Sequence, residues 1–402
     1  MSRAAGGVSA APERFDVVVV GAGIVGLGAA LAAVDRGRSV LVVDRASEIA
    51  GASIRNFGHL CFTPQSGVAR DYAATSRKLW LRLARDAGFW IDDAGTLVVA
   101  RREDELALLR DLAERRRPGH TGETSEGQAP EVELLTASEI EALAALPAGS
   151  AVGGARLPLD LQVDPRFAAD AIRDHLAARG VVFRMRTAAG RIAGGRVATS
   201  RGPVDAGLVV VAVNHDIDQL YPELAERRGV IRCGLDMLRV TTDLPRPLGG
   251  PLLTGWSLIR YSAFAGLPGS AAVRDRLTRE RPELATLDLN QMYTQRPDGS
   301  LIVGDSHWKG ETIPPFQPEA APEAFLAEFR TLFDRDPAVI ERWQGVYATG
   351  PEEFLVEEVE PGVLVTVVTT GIGMTTGLGL AEHVVGGHLD THSRPLTEST
   401  RP

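Results

Sequence analysis

The sequence predicts an α/β protein in which a doubly wound sheet, with helices on both faces, is interrupted by a second domain. Three observations indicate this fold class. A β-branched run near the N-terminus stops at a glycine cluster and continues as a helix pattern, and residues 163–185 and 362–389 again combine helix and strand patterns. Residues 229–309, between these segments, alternate like the strands of a mixed sheet. The first domain is therefore discontinuous in sequence.

The opening segment, residues 17–34, contains only apolar or small residues. Roughly 18 such residues are enough for a membrane-spanning helix. Within the segment, however, the β-branched residues 17–20 come first, glycines follow, and the helix-forming alanines and leucines come last. This order favours a strand, a tight turn and a helix over a membrane span.

The glycine cluster fits the pattern G-x-G-x-x-G with Gly21, Gly23 and Gly26. A second strand-like run ends at Asp44, roughly 20 residues beyond the glycines, which is the spacing of a dinucleotide-binding unit. The glycines permit a tight turn and a close approach to a pyrophosphate, and the helix N-terminus near Ile24 attracts phosphate. Asp44 would accept a hydrogen bond from a ribose hydroxyl. The alternative is a buried strand and helix that bind no ligand.

Further helices and strands follow along the chain. Residues 163–185 predict an amphipathic helix that starts at a proline and stops at Gly180, followed by a strand. Residues 204–215 are a continuous apolar run, typical of a strand buried on both faces. Residues 362–389 predict a strand, a glycine-rich turn and a helix, and residues near 102–116 predict a charged helix.

The intervening segments predict an antiparallel sheet that forms one wall of a pocket. Residues 236–244, 257–264 and 299–308 alternate like strands. Residues 115–133 are polar and rich in glycine and proline, which predicts a surface loop to which we assign no function.

Two domains follow from these patterns, since 402 residues are long enough for two cores. We expect the active site at their interface. The predicted limits are a flexible leader at 1–12, a nucleotide-binding domain at 13–79, 150–220 and 345–392, a substrate domain at 80–149 and 221–344, and a tail at 393–402.

Composition excludes several classes of function. The net charge of −9 offers no broad basic surface to nucleic acid. The two cysteines, Cys61 and Cys233, fit no metal or redox spacing and suit free, buried thiols in a reducing cytoplasm. Residues 1–12 lack the long apolar stretch of a signal peptide. We therefore expect a cytoplasmic protein without bound metal, nucleic acid or membrane partner.

Over nearly its whole length the chain resembles the FAD-dependent amine oxidases of the D-amino acid oxidase, glycine oxidase and sarcosine oxidase superfamily. The resemblance implies a Rossmann-type FAD-binding domain with an inserted substrate domain of mixed antiparallel sheet and helices. It also implies FAD rather than NAD as the cofactor. The segments that carry it are VVVVGAGIVG (17–26) with Asp44, GASIRNFGH (51–59), VDP (163–165), LVVVAVNH (208–215), DGSLIVGD (298–305) and GIGMTTGLGLAE (371–382).

This resemblance implies a set of cofactor-binding residues along the pyrophosphate, the adenosine ribose and the flavin. The helix that begins near Gly373 would direct backbone N–H groups at the flavin C2 carbonyl, where the reduced ring carries negative charge. The implied residues are Gly21, Gly23, Ile24, Gly26, Asp44, Arg45, Ser53, Arg55, Asn56, Gly58, Asn214, Gly373, Met374 and Thr375.

The chain departs from the family in residues 343–353. In glycine and D-amino acid oxidases this segment carries an arginine that pairs with the substrate carboxylate, whereas here Tyr347 follows Gly345 and Val346. In sarcosine oxidases the segment holds a cysteine bonded to the flavin, and this stretch contains no cysteine. The departures imply non-covalent FAD and a different site for the substrate anion.

The segments SIRNFGH, SLIRY, GDSHW and GVY resemble a subgroup associated with phosphonate breakdown and aminophosphonate substrates. A phosphonate has up to two charges and three acceptor oxygens, which calls for arginine and hydroxyl donors. Arg260 could instead be a surface arginine or part of a structural ion pair, and the aromatic candidates could be packing groups. The candidate substrate-binding residues are Arg260, Tyr261, Tyr293, Trp308 and Tyr347.

Two histidines are candidate catalytic residues. By the resemblance His59 lies close to the flavin, and its alternative role is that of a packed, hydrogen-bonded side chain. His307 follows a strand and a Gly-Asp turn, from which it could contact substrate or stabilise superoxide, and Lys309 could supply that positive charge instead. A dedicated base is not required if the site lowers the pKa of the amine by excluding water.

The expected reaction transfers a hydride from the carbon next to nitrogen to flavin N5, after which water hydrolyses the imine and oxygen gives peroxide. The preferred substrate is an aminophosphonate such as 2-aminoethylphosphonate or its N-methyl derivative. The alternatives are a deaminase like glycine, sarcosine or D-amino acid oxidase, an amine dehydrogenase with another electron acceptor, and a flavin-binding sensor without turnover. The sequence leaves the oligomeric state open.

Overall fold

A computed structural model of the chain describes residues 13–117 and 129–391. The predicted leader at 1–12, the middle of the predicted loop at 115–133 and the predicted tail at 393–402 lie outside the described residues. The described residues form both helices and strands, in the order that the hydrophobic patterns predict in outline.

Strands and helices are numbered here in chain order within the described residues. The strands are β1 (Glu13–Val20), β2 (Val40–Val43), β3 (His59–Leu60), β4 (Ile91–Asp92), β5 (Thr96–Ala100), β6 (Glu133–Leu135), β7 (Gly153–Leu157), β8 (Leu161–Val163), β9 (Val182–Arg184), β10 (Ala189–Ala193), β11 (Arg196–Thr199), β12 (Gly202–Val211), β13 (Ile231–Thr241), β14 (Leu252–Leu253), β15 (Met292–Gln295), β16 (Leu301–Gly304), β17 (Trp308–Gly310), β18 (Ala338–Thr349), β19 (Phe354–Glu360) and β20 (Val363–Val368). The helices are α1 (Ile24–Val34), α2 (Gly67–Ala87), α3 (Glu103–Arg115), α4 (Ala137–Leu143), α5 (Pro165–Ala178), α6 (Ile217–Leu220), α7 (Pro222–Arg227), α8 (Gly255–Leu258), α9 (Ser262–Ala265), α10 (Ser270–Glu280), α11 (Pro282–Thr286), α12 (Ala320–Phe333), α13 (Gly373–Ala381) and α14 (Gly387–Thr391).

The first sheet contains the parallel strands in the order β9, β2, β1, β12 and β20. In its centre Val19 of β1 is aligned with Val42 of β2 and Val210 of β12. The antiparallel strands β11 and β10 extend from the first half of β12, and β19 pairs with β20. The separate segments with strand patterns therefore meet in one sheet, which confirms the predicted fold class.

Both faces of the first sheet are buried because alternate residues of each strand enter different cores. Val17 and Val19 pack into a core formed with α1, α2, α5 and α13. Val18 and Val20 pack on the opposite face, against Ile217 and other residues around α6, α7 and β19. A strand buried on both faces reads as a continuous apolar run, so the membrane-like composition of residues 17–34 reflects burial inside a sheet protein.

The second sheet has the order β17, β13, β16, β15, β14, β5, β7 and β6, and β18 also pairs with β13. Its pairings are antiparallel except that between β5 and β14, which confirms the predicted mixed sheet. Its core includes the ring cluster of Tyr293 with Phe329 and Phe333 of α12. A small third sheet joins β3, β8 and β4.

The predicted strand at 257–264 is wrong. This segment contains parts of two short helices, α8 and α9, with Arg260 and Tyr261 between them. Its turns are closed locally, because the Ser257 N–H donates to the Thr254 carbonyl at 2.9 Å and the Arg260 N–H donates to Ser257 at 3.1 Å. Consecutive residues of this segment, such as Ser257, Leu258 and Ile259, are all buried. Tertiary packing therefore determines its structure, and the alternating pattern does not.

The predicted domain limits stay a prediction, and three elements bear on them. Helix α2 runs through residues 79 and 80, where a limit was expected, and β18 runs through residues 344 and 345. Strand β7, expected in the first domain, pairs with β5 and β6 of the second sheet. The chain passes from one domain to the other within continuous helices and strands. No loop or change in composition therefore marks these limits in the sequence.

Candidate functional site

The glycine turn between β1 and α1 has no room for side chains. Gly21 has φ +107°, a value that favours glycine, and an added Cβ would lie 2.5 Å from the Ala212 carbonyl oxygen. A Cβ on Gly26 would lie 1.9 Å from the carbonyl oxygen of Gly21. Gly23 precedes the first residue of α1 and provides no side-chain cap. The turn therefore presents bare backbone beside a helix N-terminus, as the glycine pattern predicts.

Asp44 follows β2 and holds this turn in place. Its Oδ2 accepts a hydrogen bond from the Ala22 N–H at 2.8 Å, and its Oδ1 accepts one from the Ala46 N–H at 2.8 Å. A carboxylate has about four acceptor positions, so capacity remains for a ribose hydroxyl. The next residue, Arg45, points away into an ion pair with Asp216 at 2.6 Å.

A cleft extends from this turn to the second sheet and brings together most of the predicted site residues. Of those residues, Gly23, Ile24, Ser53, Arg55, Asn56, His59, Asn214, Arg260, Tyr261, His307, Tyr347, Gly373, Met374 and Thr375 line it. The first sheet contributes the ends of its parallel strands, which is where open α/β sheets bind ligands. The second sheet contributes apolar and polar side chains, among them Met237 and Met292.

The segment between α1 and α2 folds back over the glycine turn. Ser53 Oγ accepts the Ile24 N–H at 2.9 Å, and the Asn56 side-chain amide donates to the carbonyls of Ala52 and Ser53. Asn56 Oδ1 accepts the Gly58 N–H at 2.8 Å. Asn56 therefore stabilises this loop and also lines the cleft. Gly58 belongs to the same loop but lies outside the cleft lining.

Helix α13 directs its N-terminus into the cleft from the first sheet. Trp80 of α2 donates to the Met374 carbonyl at 3.0 Å, and Thr375 Oγ1 accepts the Cys61 N–H at 3.1 Å. These contacts tie α13 to α2 and to β3. The free N–H groups of its first turn carry partial positive charge. Asn214, which follows β12 of the same sheet, is held because its Oδ1 accepts the Ala348 N–H at 2.6 Å.

His59 lies buried in the wall of the cleft. Its Nε2 lies 2.6 Å from Thr96 Oγ1 and 3.8 Å from Asp160 Oδ2, and its Nδ1 lies 3.2 Å from Met292 Sδ. Both ring nitrogens therefore have partners inside the protein. This geometry supports the alternative of a packed, hydrogen-bonded histidine more than a proton-transfer role.

The far end of the cleft is polar and enclosed. Arg260 Nη1 donates to the Asp288 carboxylate at 2.6 Å and to the Asp288 carbonyl at 3.0 Å. His307 Nδ1 lies 2.8 Å from the same carbonyl, and its Nε2 lies 3.5 Å from Asp305 Oδ2. Burial, with the nearby charge of Arg260, lowers the pKa of His307 to about 3, so the ring is neutral near pH 7.

Tyr261 and Tyr347 complete this end of the cleft. Burial raises the pKa of each phenol well above its usual value, so both hydroxyls stay protonated. The Tyr261 hydroxyl lies 4.0 Å from Met292 Sδ, and the Tyr347 hydroxyl contacts the Cys233 thiol. Sulfur is a weak acceptor, so a ligand oxygen could take over these donors at little cost.

A family model described as FAD dependent oxidoreductase (DAO) matches residues 16–386. The chain belongs to this family. The match covers both sheets and the cleft between them. The protein is thus an FAD-dependent oxidoreductase, and the cofactor that the glycine turn and Asp44 indicate is FAD.

Solved structures share the fold of this FAD-dependent oxidoreductase at low sequence identity. L-Proline dehydrogenase from P. horikoshii has a TM-score of 0.75 and 16% identity, over 96% of each chain. Glycine oxidase from Geobacillus kaustophilus has a TM-score of 0.72 and 18% identity, over 95% of this chain and 96% of that one. Iminodiacetate oxidase from Chelativorans sp. BNC1 has a TM-score of 0.71 and 17% identity, over 94% and 96%.

A curated relative matches only a short stretch. NADH:fumarate oxidoreductase of Klebsiella pneumoniae (strain 342) is 52% identical over 50 residues, which is 12% of this chain. The chain spans only 5% of that protein's length.

The residues of the FAD-dependent oxidoreductase fit its cofactor. Added Cβ atoms at Gly21 and Gly26 would clash with backbone, so the turn stays open to a diphosphate. Thr366 lines the cleft on β20 and has a buried hydroxyl without a hydrogen-bond partner among the described residues. Two helix N-termini, those of α1 and α13, meet the same cleft. When bound, FAD supplies the two-electron acceptor for the reaction.

Three candidates lie elsewhere. Tyr293 is buried in the core of the second sheet against Phe329 and Phe333, so it is not a substrate ligand. Trp308 donates its indole N–H to Asp236 at 2.9 Å and lies outside the cleft lining. Lys309 is exposed on β17, also outside that lining. Strand alternation explains the miss at Tyr293, because its neighbour Met292 lines the cleft and a one-residue step turns a side chain to the other face.

Sequence reasoning also missed cleft residues. Asp305 and Asn290 line the polar end, and Leu235, Met237 and Met292 line its apolar wall. Asp305 belongs to the GDSHW segment, in which the histidine and the tryptophan were the predicted site residues. The other four have no local signal, because only the folding of the second sheet brings them together.

The described residues show neither a metal site nor a membrane span. Groups of three or more histidine, cysteine, aspartate or glutamate side chains placed to hold a metal ion do not occur among them. Of the described helices, none is both long and apolar enough to cross a bilayer.

Proposed function

We propose that the protein oxidises a small primary or N-alkylated amine that carries an anionic group. The observation that carries this proposal is the continuity of the cleft, which joins the cofactor turn to an enclosed polar end with Arg260 and two phenol donors. A hydride donor bound at this end would lie beside the flavin region near α13. The solved structures of similar fold include oxidases named for glycine and for iminodiacetate, which are amines with carboxylates.

Arg260 is the proposed partner of the substrate anion. It is paired with Asp288, as the structural alternative anticipated, but among the described residues both of its hydrogen bonds use Nη1. Its side chain keeps 23% of its surface accessible at the cleft wall. The other guanidinium nitrogens are therefore free to bind an anion, and the charge of Asp288 holds the side chain in position.

The preferred substrate class is an aminophosphonate such as 2-aminoethylphosphonate or its N-methyl derivative. Tyr347 stands where the resembled glycine and D-amino acid oxidases have their carboxylate-binding arginine, and it lines the cleft with Tyr261. Arg260 and two hydroxyls together offer donors to three oxygens, which suits a phosphonate better than a planar carboxylate. The alternative substrate is an ordinary amino acid bound through Arg260 alone.

The chain's own contribution to the reaction is position and exclusion of water. Buried apolar side chains around the cleft, including Leu235 and Met237, lower the local dielectric and favour the neutral form of a bound amine. The anion site fixes the substrate at one end and so limits the rotation of its nitrogen-bearing carbon.

We also propose that FAD is bound without a covalent link and that the enzyme works in the cytoplasm. Residues 343–353 contain no cysteine, and burial raises the pKa of the cleft-lining Cys61 to about 12, which makes its thiol unreactive. Both cysteines are free and buried, which suits a reducing compartment. Oxygen is the proposed electron acceptor.

The test is an anaerobic titration of the FAD-loaded protein with matched amines with and without phosphonate or carboxylate groups. We expect an anionic amine to remove the flavin absorbance near 450 nm and, under air, to give one peroxide for each amine oxidised. Bleaching without peroxide would identify a dehydrogenase with another acceptor. Flavin that no amine bleaches would reject the proposal and favour a flavin-binding sensor.

A further inference from the structure

Asp305 is a buried carboxyl group in the wall of the cleft, only 4% exposed. Its Oδ1 has no hydrogen-bond partner among the described residues, and the same is true of Oδ1 of Asn290, which lines the cleft beside it. An acidic group without a full set of partners is costly to bury unless a ligand supplies one. The mechanism above gives this carboxyl no part.

The charges around Asp305 come from several elements. Arg260 pairs with Asp288 at 2.6 Å, its charge also acts on Asp305 and His307, and His307 is uncharged above its depressed pKa. The phenols of Tyr261 and Tyr347 and the thiol of Cys233 also face this group, and each has a pKa raised by burial. Asp305 is therefore the acid in this group whose charge is not already matched by a protein cation in direct contact.

We propose that Asp305 is the base that accepts the proton of the substrate ammonium group before oxidation. The inference rests on the proposed amine oxidation, because a hydride can leave only from a neutral amine. A primary amine with a pKa near 10 is almost entirely protonated at pH 7, so the site must remove a proton. A carboxylate in the cleft both attracts the ammonium group and receives its proton.

The step is a simple proton transfer. One N–H bond of the ammonium group breaks, its electron pair stays on nitrogen, and an O–H bond forms on a carboxylate oxygen of Asp305. Neither partner is oxidised or reduced. The transfer leaves a neutral amine and a neutral carboxyl group side by side, which a buried site stabilises better than a pair of ions.

The ionisation of Asp305 is suited to this role. Burial raises the pKa of the carboxyl to about 7, although the charge of Arg260 opposes this shift. Below that pH the carboxyl is already protonated and cannot accept the proton, so capture of the amine weakens as pH falls through about 7. His307 does not titrate in this range. Burial opposes the ionisation of Asp288, but the charge and hydrogen bond of Arg260, together with the nearby charge of Lys309, lower its pKa, so Asp288 is ionised.

Asp305→Asn removes the base and keeps the size of the side chain. We expect the second-order rate constant for flavin bleaching at pH 7 to fall about 100-fold or more, the lower end for loss of a general base. Below the pKa of the amine, its neutral fraction rises about tenfold for each unit by which the pH increases, so the defect should shrink to less than about tenfold near pH 10.

Binding gives a readout that does not depend on turnover. An amine whose α-carbon carries no hydrogen cannot be oxidised, and its Kd is measured by calorimetry with the FAD-loaded protein. In the unaltered protein the Kd should be nearly constant between about pH 7 and the pKa of the amine and rise about tenfold for each unit below 7, and in Asp305→Asn this change of slope near pH 7 should be absent. A Kd profile that is the same in both proteins would overturn the proposal, as would a rate defect of equal size at every pH.

Two further variants separate a chemical role from a structural one. Asp305→Glu retains an acid and should keep the pH dependence near 7 even if the rate falls. Asp236→Asn alters another buried acid, which binds Ser306 and Trp308 outside the cleft lining, and should leave the pH dependence in place. Amines that fail to bleach the unaltered protein would defeat the proposed function, whereas bleaching with an unchanged Asp305→Asn profile would defeat only the role of Asp305.

Discussion

The contacts of Arg260 are compatible with both a structural role and the proposed binding role. Its Nη1 is used by Asp288, which fixes the guanidinium at the cleft wall, and the remaining nitrogens are available to a ligand. A preorganised arginine loses less conformational freedom when it binds than a free side chain does. The ion pair anticipated as an alternative to substrate binding is thus compatible with it.

Replacement of Arg260 by alanine should weaken capture of an anionic amine by about 2 to 4 kcal/mol, since a charge pair in a desolvated cleft is lost. This corresponds to roughly a 30- to 1000-fold higher Kd. The measurement is the half-saturation concentration of flavin bleaching for an amine with a phosphonate and for its uncharged analogue.

The control for this change is Arg330→Ala, because Arg330 also pairs with an aspartate, Asp336 at 2.6 Å, but on the surface. It should leave both half-saturation concentrations unchanged. Equal weakening of the charged and the uncharged amine by Arg260→Ala would mean that Arg260 supports the fold of the cleft and not the anion.

At the scale of the element, the β1–α1 turn explains why the cofactor site can be read from sequence. Turn, helix start and acid lie within one short stretch of chain, so their relative positions depend mainly on local geometry. Gly21 needs its positive φ, whereas Gly23 has φ −72° and could hold a side chain without backbone strain. A side chain at Gly23 can therefore reduce the space for a ligand without disturbing the backbone fold.

Gly23→Ala should preserve the fold and weaken FAD binding. The new Cβ would lie 3.2 Å from Ser53 Oγ, a contact that a small shift relieves, but it would also occupy the bare face of the turn. We expect the Kd of the apoprotein for FAD, measured by quenching of flavin fluorescence, to rise at least about tenfold, or about 1.4 kcal/mol.

Gly387→Ala is the matched control, since this residue has φ −60° and nothing within 4 Å of an added Cβ. Its Kd for FAD should equal that of the unaltered protein. If Gly23→Ala also retained full affinity, the pyrophosphate would not lie against this turn.

At the scale of the whole molecule, the cleft is formed where two sheets with separate cores meet. Gly373 and Val368 come from the first sheet and its helix, whereas Met237 and Met292 come from the second sheet. A cofactor in this position contacts both parts, so its binding contributes to their association. The polar end of the same cleft is lined by buried side chains such as Asp305 and His307.

FAD should therefore stabilise the folded protein as a whole. At a free FAD concentration 100 times the Kd, linkage predicts about 2.7 kcal/mol. Removal of FAD should lower the unfolding temperature, and stepwise addition should raise it in proportion to the logarithm of concentration. Calorimetric scans of the apoprotein and of the reconstituted protein provide the measurement, and an unfolding temperature independent of FAD would contradict the assigned site.

Much of the fold followed from patterns that are local in sequence. The runs at β1, β12 and β20 are apolar because both faces of these strands are buried, and that signal survives without knowledge of the partners. The strand prediction for residues 257–264 was wrong because the alternation of apolar and polar residues there arises from burial around two short helices. A pattern shows that residues are buried but not which backbone geometry buries them.

The sequence by itself determined the glycine turn before α1, the acid after β2 and the α/β class, because each depends on residues close together in the chain. Only the tertiary structure decided which side chains share the polar end of the cleft. Arg260, Asp288 and Asp305 come from separate segments, and Tyr293 and Trp308 have their packing and hydrogen-bond partners outside the cleft. The substrate that a site can bind depends on such long-range contacts and on the burial of side chains, and neither can be read from a single position in the sequence.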